Sequence, residues 1–398
     1  MIKQFFLFFI AFCCSILNAI AQQDTAVSFE QNIPGHTNAV ETVAYSKDGK
    51  FLISGSWDNT ARLYAVDTSG GVTFLKSFTG HFAAVTAVAI NYQSTMVATG
   101  SKDFTVRVYD IATGKLLFVS RDHKEAISNL LFDPAGMVLF SSSHDGSIRL
   151  YDLVNFENNK VEKALQFGTK INDFLLSTAK GAFLVASSKP VIEQITLKKN
   201  VTKSFTGHTS PVNCLDMSPN KKMLASGSDD KSIIIWDIAT ATILKKLTGH
   251  AWKVTSVQFS PDGKYLVSTC NTGEIKLWNI ETGKCMTNIQ PKGTNARQAC
   301  FNANETRIAV ASLQTGGSYG VSLYKTPIRY IPFVKKQMIK GKNGKMVPAP
   351  SSGQPLEDWA WSDDAVGGKE DKVEGKTDKA GDAPKNADKP KILPKKKN

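Results

Sequence analysis

The chain has 398 residues, of which 42% are hydrophobic and 21% are charged. This composition excludes a wholly disordered chain, a collagen-like chain and a membrane protein with many spans, and it indicates a soluble globular protein of one to three domains. Forty-eight lysines and arginines against 35 acidic residues give a net charge of +13. Such an excess suits an acidic partner, but it does not by itself identify a nucleic-acid site.

The first 21 residues have the pattern of a secretory signal peptide. Lys3 precedes an apolar block at residues 5–17, and the stretch 18–21 ends in an Ala-x-Ala cleavage site at Ala21. The alternative is an uncleaved anchor, but the block is shorter than the ~20 apolar residues that a membrane span needs. We therefore predict a mature chain without a transmembrane span that is exported and is periplasmic, associated with the cell envelope or secreted.

A repeat of about 42 to 45 residues runs through the middle of the chain. Gly-His pairs end at His36, His81, His208 and His250, and Asp122-His123 adds one more copy. Each histidine is followed by an alternating apolar strand, a turn, a second strand, a tight turn and a third strand that ends in tyrosine or tryptophan. The spacing leaves room for a degenerate copy at residues 171–187 and a seventh copy at residues 293–324.

These residues resemble the WD-repeat family, whose repeat has the same length. The resemblance implies an all-β fold, a seven-bladed β-propeller of four-stranded antiparallel blades, over residues 22–334. It also implies that the last blade takes its outer strand from the N-terminus, here residues 26–33. Residues 328–334 compete for that edge, although Pro327 and Pro332 weaken a regular paired strand there.

The same resemblance assigns a structural tetrad to blade five, formed by His208, Ser226, Asp230 and Trp236. Serine, histidine and aspartate also compose a nucleophilic triad, but near-copies in five repeats argue against catalysis, which needs one exposed nucleophile. We predict no catalytic residue. Thr272 stands where blade six should have its aspartate, so blade five alone is expected to keep the full set.

In the family, one wide face carries the residues that follow the repeat histidine and the residue before the turn aspartate. The resemblance thus predicts a partner-binding face with two aromatic and several basic side chains, which suits protein interface hot spots. Its predicted members are Trp57, Phe82, Lys102, Lys124, His144, Asp229, Lys253 and Arg297.

Four cysteines remain after cleavage: Cys214, Cys270, Cys285 and Cys300. They form no C-x-x-C pair, which disfavours zinc ribbons and thioredoxin-like sites, and we expect no metal or cofactor. We interpret them as mostly buried strand cysteines, and their spacing leaves any disulfide pairing open.

The C-terminal stretch 335–398 is rich in Lys, Asp, Glu and Pro and is predicted to be a disordered tail. Within it, residues 356–364 place Trp359 and Trp361 among four acidic residues. This segment is either a short docking peptide or a soluble stretch with accidental tryptophans.

We therefore predict a non-enzymatic protein–protein interaction scaffold that binds other proteins of an envelope assembly and no nucleic acid. One alternative is a structural envelope protein whose surface lysines bind an anionic polymer or lipid phosphate. An exported propeller enzyme is a third interpretation, but it would need channel-lining acids and metal ligands or an added catalytic domain. Fold by itself does not decide among them.

Overall fold

The computed structural model describes residues 27–154, 161–179, 181–198, 200–291, 294–304, 306–314 and 319–328, with two short strands at residues 338–340 and 346–348. Among these residues all regular elements are β-strands. They include no helix that is long and apolar enough to cross a membrane.

Seven sheets of four antiparallel strands form the blades of a β-propeller, as the sequence predicted. Blade one consists of β2 (Val40–Tyr45), β3 (Phe51–Ser56), β4 (Ala61–Val66) and β5 (Val72–Phe78), and blade two of β6 (Val85–Ile90), β7 (Met96–Ser101), β8 (Val106–Asp110) and β9 (Leu116–Ser120). Blade three consists of β10 (Ile127–Phe132), β11 (Val138–Ser143), β12 (Ser147–Asp152) and β13 (Val161–Gln166), and blade four of β14 (Ile171–Leu176), β15 (Ala182–Ser187), β16 (Val191–Thr196) and β17 (Val201–Thr206).

The second half of the ring repeats this order. Blade five consists of β18 (Val212–Met217), β19 (Met223–Ser228), β20 (Ile233–Asp237) and β21 (Ile243–Leu247), and blade six of β22 (Val254–Phe259), β23 (Tyr265–Cys270), β24 (Ile275–Asn279) and β25 (Cys285–Ile289). Blade seven contains β26 (Thr294–Phe301), β27 (Arg307–Gln314) and β28 (Tyr319–Lys325), and its fourth strand is β1 (Ser28–His36).

Strand β1 closes the ring from the N-terminal side. It pairs antiparallel with β28, and the register joins Ser28 to Lys325 and Ile33 to Val321. This confirms the predicted closure by residues 26–33, of which residue 26 lies outside the described part. Residues 329–334 of the competing segment also lie outside it.

The hydrophobic core lies mainly between neighbouring blades. One cluster joins Val106 and Phe118 of blade two to Ile127 and Tyr151 of blade three. Another joins Val43 of blade one to the buried strands of blade seven. Each blade carries apolar side chains on both of its faces. A blade can bury both faces only between two neighbouring blades, and the closed ring gives every blade two neighbours.

The repeat loops after each histidine and the tight turns between the second and third strands lie at the same end of the blades. In blade one, the start of β2 pairs with the end of β3 through Val40 and Ser56, and the start of β4 pairs with the end of β5 through Ala61 and Phe78. We call this end of the blades, where the predicted partner-binding residues lie, the wide face.

The four cysteines lie in strands and are free thiols; Cys214, Cys270 and Cys300 are buried and Cys285 is exposed. Two further strands, β29 (Met338–Lys340) and β30 (Met346–Pro348), pair antiparallel within the stretch predicted as tail. The signal peptide at residues 1–21 and the segment with Trp359 and Trp361 lie outside the described residues, so both stay predictions.

Candidate functional site

The tetrad of blade five is a buried chain of hydrogen bonds. The Trp236 Nε1–H donates to Ser226 Oγ at 2.8 Å, and Ser226 Oγ lies 2.8 Å from His208 Nε2. His208 Nδ1 lies 2.8 Å from Asp230 Oδ2. One assignment satisfies every group: the neutral imidazole donates from Nδ1 to the carboxylate and accepts the serine hydroxyl at Nε2. Ser226 is fully buried, so a substrate cannot reach its hydroxyl.

Burial and hydrogen bonding separate the protonation states of this pair. Burial lowers the pKa of His208, although the neighbouring carboxylate opposes that shift. Burial by itself would raise the pKa of Asp230, but hydrogen bonds from Ser232, from the Thr209 N–H and from His208 together lower it to about 2. The pair is therefore an aspartate and a neutral histidine at neutral pH, which suits a structural network.

Blades one, two and three repeat the histidine–hydroxyl–carboxylate chain with tyrosine in place of tryptophan. The Nδ1-to-carboxylate distances of His36, His81 and His123 are 2.7, 2.9 and 2.9 Å. The tyrosines bond differently: the Tyr109 hydroxyl donates to the carbonyl oxygen of Thr79, and the Tyr151 hydroxyl accepts from Ser120.

The network of blade six is complete although its turn aspartate is missing. Thr272 stands at the aspartate position, but Glu274, two residues further on, places its Oε2 at 2.9 Å from His250 Nδ1. The Trp278 Nε1–H donates to Ser268 Oγ at 2.8 Å, as in blade five. Blade five alone keeps the full set of family residues, but blade six also has a complete network, because the longer side chain of Glu274, just before β24, reaches the same histidine.

Glu274 also meets a buried cation. Lys276 Nζ lies 2.9 Å from Glu274 Oε1, and both side chains are almost fully buried. Although burial would raise the pKa of Glu274, hydrogen bonds from Lys276, His250 and the Ala251 N–H lower it to about 2. His250, Cys270 and Glu274 bring potential metal-ligand atoms within 4.8 Å of one another. The lysine ammonium already balances the carboxylate, so the cluster is accounted for without a metal ion.

On the wide face, blades one and two present a continuous set of aromatic and basic side chains. Trp57 is 38% exposed, its Nε1–H donates to Glu41, and Lys102 Nζ lies 4.3 Å above the centre of its ring. Phe82 is 84% exposed. Lys102 and Asp103 connect Trp57 to Phe82, because Lys102 contacts the Trp57 ring and Asp103 Oδ2 accepts the Phe82 N–H. Lys124 is exposed, and its backbone N–H donates to Asp145 Oδ2.

The other predicted face residues lie around the rest of the ring. His144 is half-buried, and burial, followed by the charges of Lys170 and Lys102, lowers its pKa to about 4. Asp229 accepts a hydrogen bond from Asn213, and Lys253 is half-buried in the loop before β22. Arg297 donates to Asn271 at 3.0 Å and lies 3.8 Å from Glu41. Through Glu41, the structure thus brings Arg297 of blade seven near Trp57 of blade one.

Two exposed aromatic side chains of this end were not among the predicted residues. Phe104 is 43% exposed in the turn between β7 and β8. Trp252 is 50% exposed, and Lys231 Nζ lies 5.1 Å from the centre of its ring. Trp252 stands two residues after its histidine, a position outside the family pattern, and Phe104 follows the turn aspartate instead of preceding it. Comparing all turn positions for exposed aromatics could have found both.

The first strands of all seven blades line a polar central cavity of about 260 Å³. Asp173 of blade four accepts the Leu215 N–H of blade five, and Asp216 of blade five accepts the Phe259 N–H of blade six. Burial raises the pKa of each carboxyl to about 7. These side chains connect adjacent blades, and the sequence analysis did not identify them.

The family model for "WD domain, G-beta repeat" matches the chain at residues 28–65, 72–110, 114–152, 199–237 and 241–279. Each match begins in or just before the outer strand of one blade and ends in the third strand of the next, so each sequence repeat links two blades. Blades four and seven lack a match to their inner strands, and they also lack the repeat histidine.

Curated proteins with the same repeat are similar over about a third of the chain. WD repeat-containing protein SL1-17 of Schistosoma mansoni is 26% identical over 130 residues, which cover 32% of this chain and 42% of the relative. The Notchless protein homolog of Arabidopsis thaliana is 28% identical over 146 residues, covering 32% and 30%. WD repeat and HMG-box DNA-binding protein 1 of Xenopus laevis is 29% identical over 136 residues, covering 31% and 12%.

The chain thus spans less than half the length of each of these relatives. Five repeat matches, four histidine networks with the repeat spacing plus the Glu274 variant, and a closed ring of seven four-stranded blades agree with one another. Together they support the WD-repeat propeller family for this chain.

Proposed function

We propose that this protein is a non-enzymatic scaffold of the exported space or cell envelope that binds partner proteins through its wide face. WD-repeat propellers are typically protein-interaction scaffolds. The observation that carries the proposal is the contrast between two sets of side chains. The histidine–serine–aspartate groups that could suggest catalysis are buried in networks, whereas exposed aromatic and basic side chains collect on the wide face.

This arrangement suits an interface better than a catalytic cleft. Aromatic residues are enriched among the side chains that dominate binding energy, and surface cations steer acidic partners. A hydrolytic triad needs an exposed nucleophile next to its base, and the hydroxyls bonded to the five histidines are buried. The names of the relatives describe those proteins, and the DNA-binding name of one belongs to a relative of which only 12% is matched.

The proposal is tested by affinity purification from the envelope fraction of the source cells with the full chain as bait. Recovery of the proteins retained by the wild type should fall with Lys102→Glu on the wide face, because the variant associates with them more slowly. They should be kept with Lys115→Glu, a matched charge reversal in the turn between β8 and β9 at the opposite end of blade two. Retention of the same proteins by both variants would move the interface away from the wide face.

Export is supported by the sequence of residues 1–21 alone. Expression of the full chain in the source cells, followed by N-terminal sequencing of the purified protein, should find Gln22 as the first residue. A chain that retains Met1 and stays in the cytoplasmic fraction would contradict the exported location but would leave the scaffold proposal in place.

A further inference from the structure

Two exposed phenylalanines of blade two lie on either side of one carboxylate. Asp103 Oδ2 accepts the Phe82 N–H at 2.9 Å, and its Oδ1 accepts the Thr105 N–H at 2.9 Å. The same Oδ2 is 2.9 Å from the buried His81. The loop with Phe82 and the turn with Phe104 are therefore held together by the histidine network beneath them, while both rings face solvent.

Phe104 has an unfavourable backbone conformation for its residue type. Its φ is +69°, in the left-handed region. At the same turn position, blades one, three, five and six have Asn59, Gly146, Lys231 and Gly273, all with positive φ. Glycine and asparagine adopt this region readily, whereas a bulky aromatic residue there is an outlier that costs stability.

Burial offsets only part of this cost, since 43% of the Phe104 residue is exposed. Residues with strained backbone cluster at ligand-binding and switch regions. Phe82, at 84%, is the most exposed large hydrophobic residue of the described part of the chain. Two phenylalanines thus present exposed apolar surface beside the same turn.

The net charge around these rings is positive. Lys102 lies over Trp57, Lys124 is exposed beside the next histidine loop, and Lys170 is exposed in blade four. The carboxylates of the same turns in blades one to three, Asp58, Asp103 and Asp145, are bonded to histidines and are largely covered. Asp122 and Glu125 are also exposed in these loops, so the charge presented to a ligand is mixed, with an excess of basic groups from Lys102, Lys124, Lys170 and Arg121.

We propose that Trp57, Phe82, Lys102 and Phe104 form one binding site, the blade-two site, for an extended acidic segment of a partner protein that carries an aromatic or large apolar side chain. The apolar side chain would pack on Phe82 and Phe104, and carboxylates would pair with Lys102 and Lys124. This inference rests on the proposed scaffold function and names the chemistry of one partner.

The test is selection of random nine-residue peptides, displayed on phage, on the immobilised full chain. The selected peptides should combine Trp, Phe or Leu with Asp or Glu. Synthetic copies with a fluorescent label should then bind the wild type in anisotropy titrations, and Phe82→Ala and Phe104→Gly should each raise the Kd at least tenfold. Selection of no peptide, or of basic peptides, would overturn the inference.

A matched variant separates binding from folding. Lys231→Gly changes the same left-handed position in blade five. Both glycine variants should melt at or above the temperature of the wild type, because glycine relieves the strain, but only Phe104→Gly should lose the peptide. A lower melting temperature for Phe104→Gly, without one for Lys231→Gly, would make Phe104 a packing residue and overturn the inference.

The selection also distinguishes this inference from the scaffold proposal. Peptides whose binding is weakened by Lys253→Glu but is unchanged, within twofold, by Phe104→Gly would show a wide-face site elsewhere. The scaffold proposal would then stand and the blade-two site would be wrong.

Discussion

Glu274 replaces the missing aspartate of blade six from a different position in the chain. In blades one, two, three and five, the residue two positions after the aspartate is Thr60, Thr105, Ser147 or Ser232, and its hydroxyl donates to that aspartate. In blade six this position supplies the carboxylate itself. The histidine network therefore depends on where an acceptor oxygen lies in space, and residues at different sequence positions can supply that oxygen.

Glu274→Gln should lower the free energy of unfolding by about 2–4 kcal/mol, because it leaves the buried Lys276 ammonium without its charge partner. Asp230→Asn in blade five should have a similar effect through His208. Urea denaturation at pH 7 measures both. Glu193→Gln, which removes a more exposed pair with Lys189, is the control and should change stability by less than about 1 kcal/mol. A loss for Glu274→Gln no larger than this control would mean that the carboxylate is not needed.

The carboxyl of Asp216, which lines the central cavity, makes the free energy of unfolding depend on pH. Burial raises its pKa from 3.8 to about 7, so the folded chain binds this proton more tightly than the unfolded chain does. The contribution of this carboxyl to the free energy of unfolding is therefore fully present below pH 4 and is lost as the pH rises through about 7. The total loss is at most about 4 kcal/mol.

Asp216→Asn mimics the protonated carboxyl and keeps an oxygen acceptor for the Phe259 N–H. The variant should be more stable than the wild type at pH 8 and should lose less stability between pH 5 and pH 8, as measured by urea denaturation at each pH. Asp67→Asn, at an exposed carboxyl whose hydrogen bonds lower its pKa, should leave the slope in this range unchanged. Equal slopes for wild type and Asp216→Asn would contradict the prediction.

Trp57 and Lys102 should affect partner binding in different ways. Trp57→Ala removes a large ring from the wide face and should weaken binding of a purified partner by about 1–4 kcal/mol. Lys102→Glu should mainly slow association and change its salt dependence, since surface charges act chiefly on encounter. Surface plasmon resonance at two salt concentrations measures both effects, and melting curves check folding. Normal binding by both folded variants would place the interface elsewhere.

At the scale of elements, β1 holds the first and last blades together. Besides its strand pairing, Glu30 accepts two hydrogen bonds from Arg307 at 2.6 and 2.9 Å. Removing β1 would leave the edge of β28 unpaired, and open edges both lose backbone hydrogen bonds and favour aggregation.

A chain that starts at Gly35 should therefore melt several degrees lower than the chain that starts at Gln22, and it should aggregate on heating. Light scattering during thermal melts measures both properties. Deletion of residues 349–398 is the control, because its charged composition predicts little contribution to stability. Equal melting of the Gly35 and Gln22 chains would contradict a role of β1 in closure.

Individual strands were predictable to different degrees. β14 and β15 of blade four lie at residues 171–187, where the degenerate repeat was predicted, although that repeat has no histidine and β15 is buried along its whole length. The short pair β29 and β30 was not expected, because its surroundings are charged and low in apolar residues. Strand signals come from local alternation, so they are readable where one face of the strand is buried.

For the whole molecule, hydrogen bonds between blades supplement hydrophobic packing around the central cavity. Besides Asp173 and Asp216, Gln258 of blade six accepts the Phe301 N–H of blade seven, and Gln298 of blade seven accepts the Val43 N–H of blade one. The equivalent positions in blade two are Ala87 and Ala89, which offer no side-chain acceptor. Thr86 of blade two instead donates to the carbonyl oxygen of Ile127 in blade three, so polar bonds and apolar packing occur together around the ring.

The repeat period, the strand pattern and the histidine–hydroxyl–aspartate spacing carry the resemblance to the WD-repeat family, and that resemblance predicted seven blades, the closing strand and the network of blade five. These features lie within one repeat or recur from repeat to repeat, so their spacing along the chain reflects their spacing in space. The tertiary structure alone showed that Glu274 completes blade six, that Asp173 and Asp216 join neighbouring blades, and that Phe104 stands exposed in a left-handed turn. Each of these depends on where a side chain points relative to another strand or blade, and such directions arise only when the ring closes.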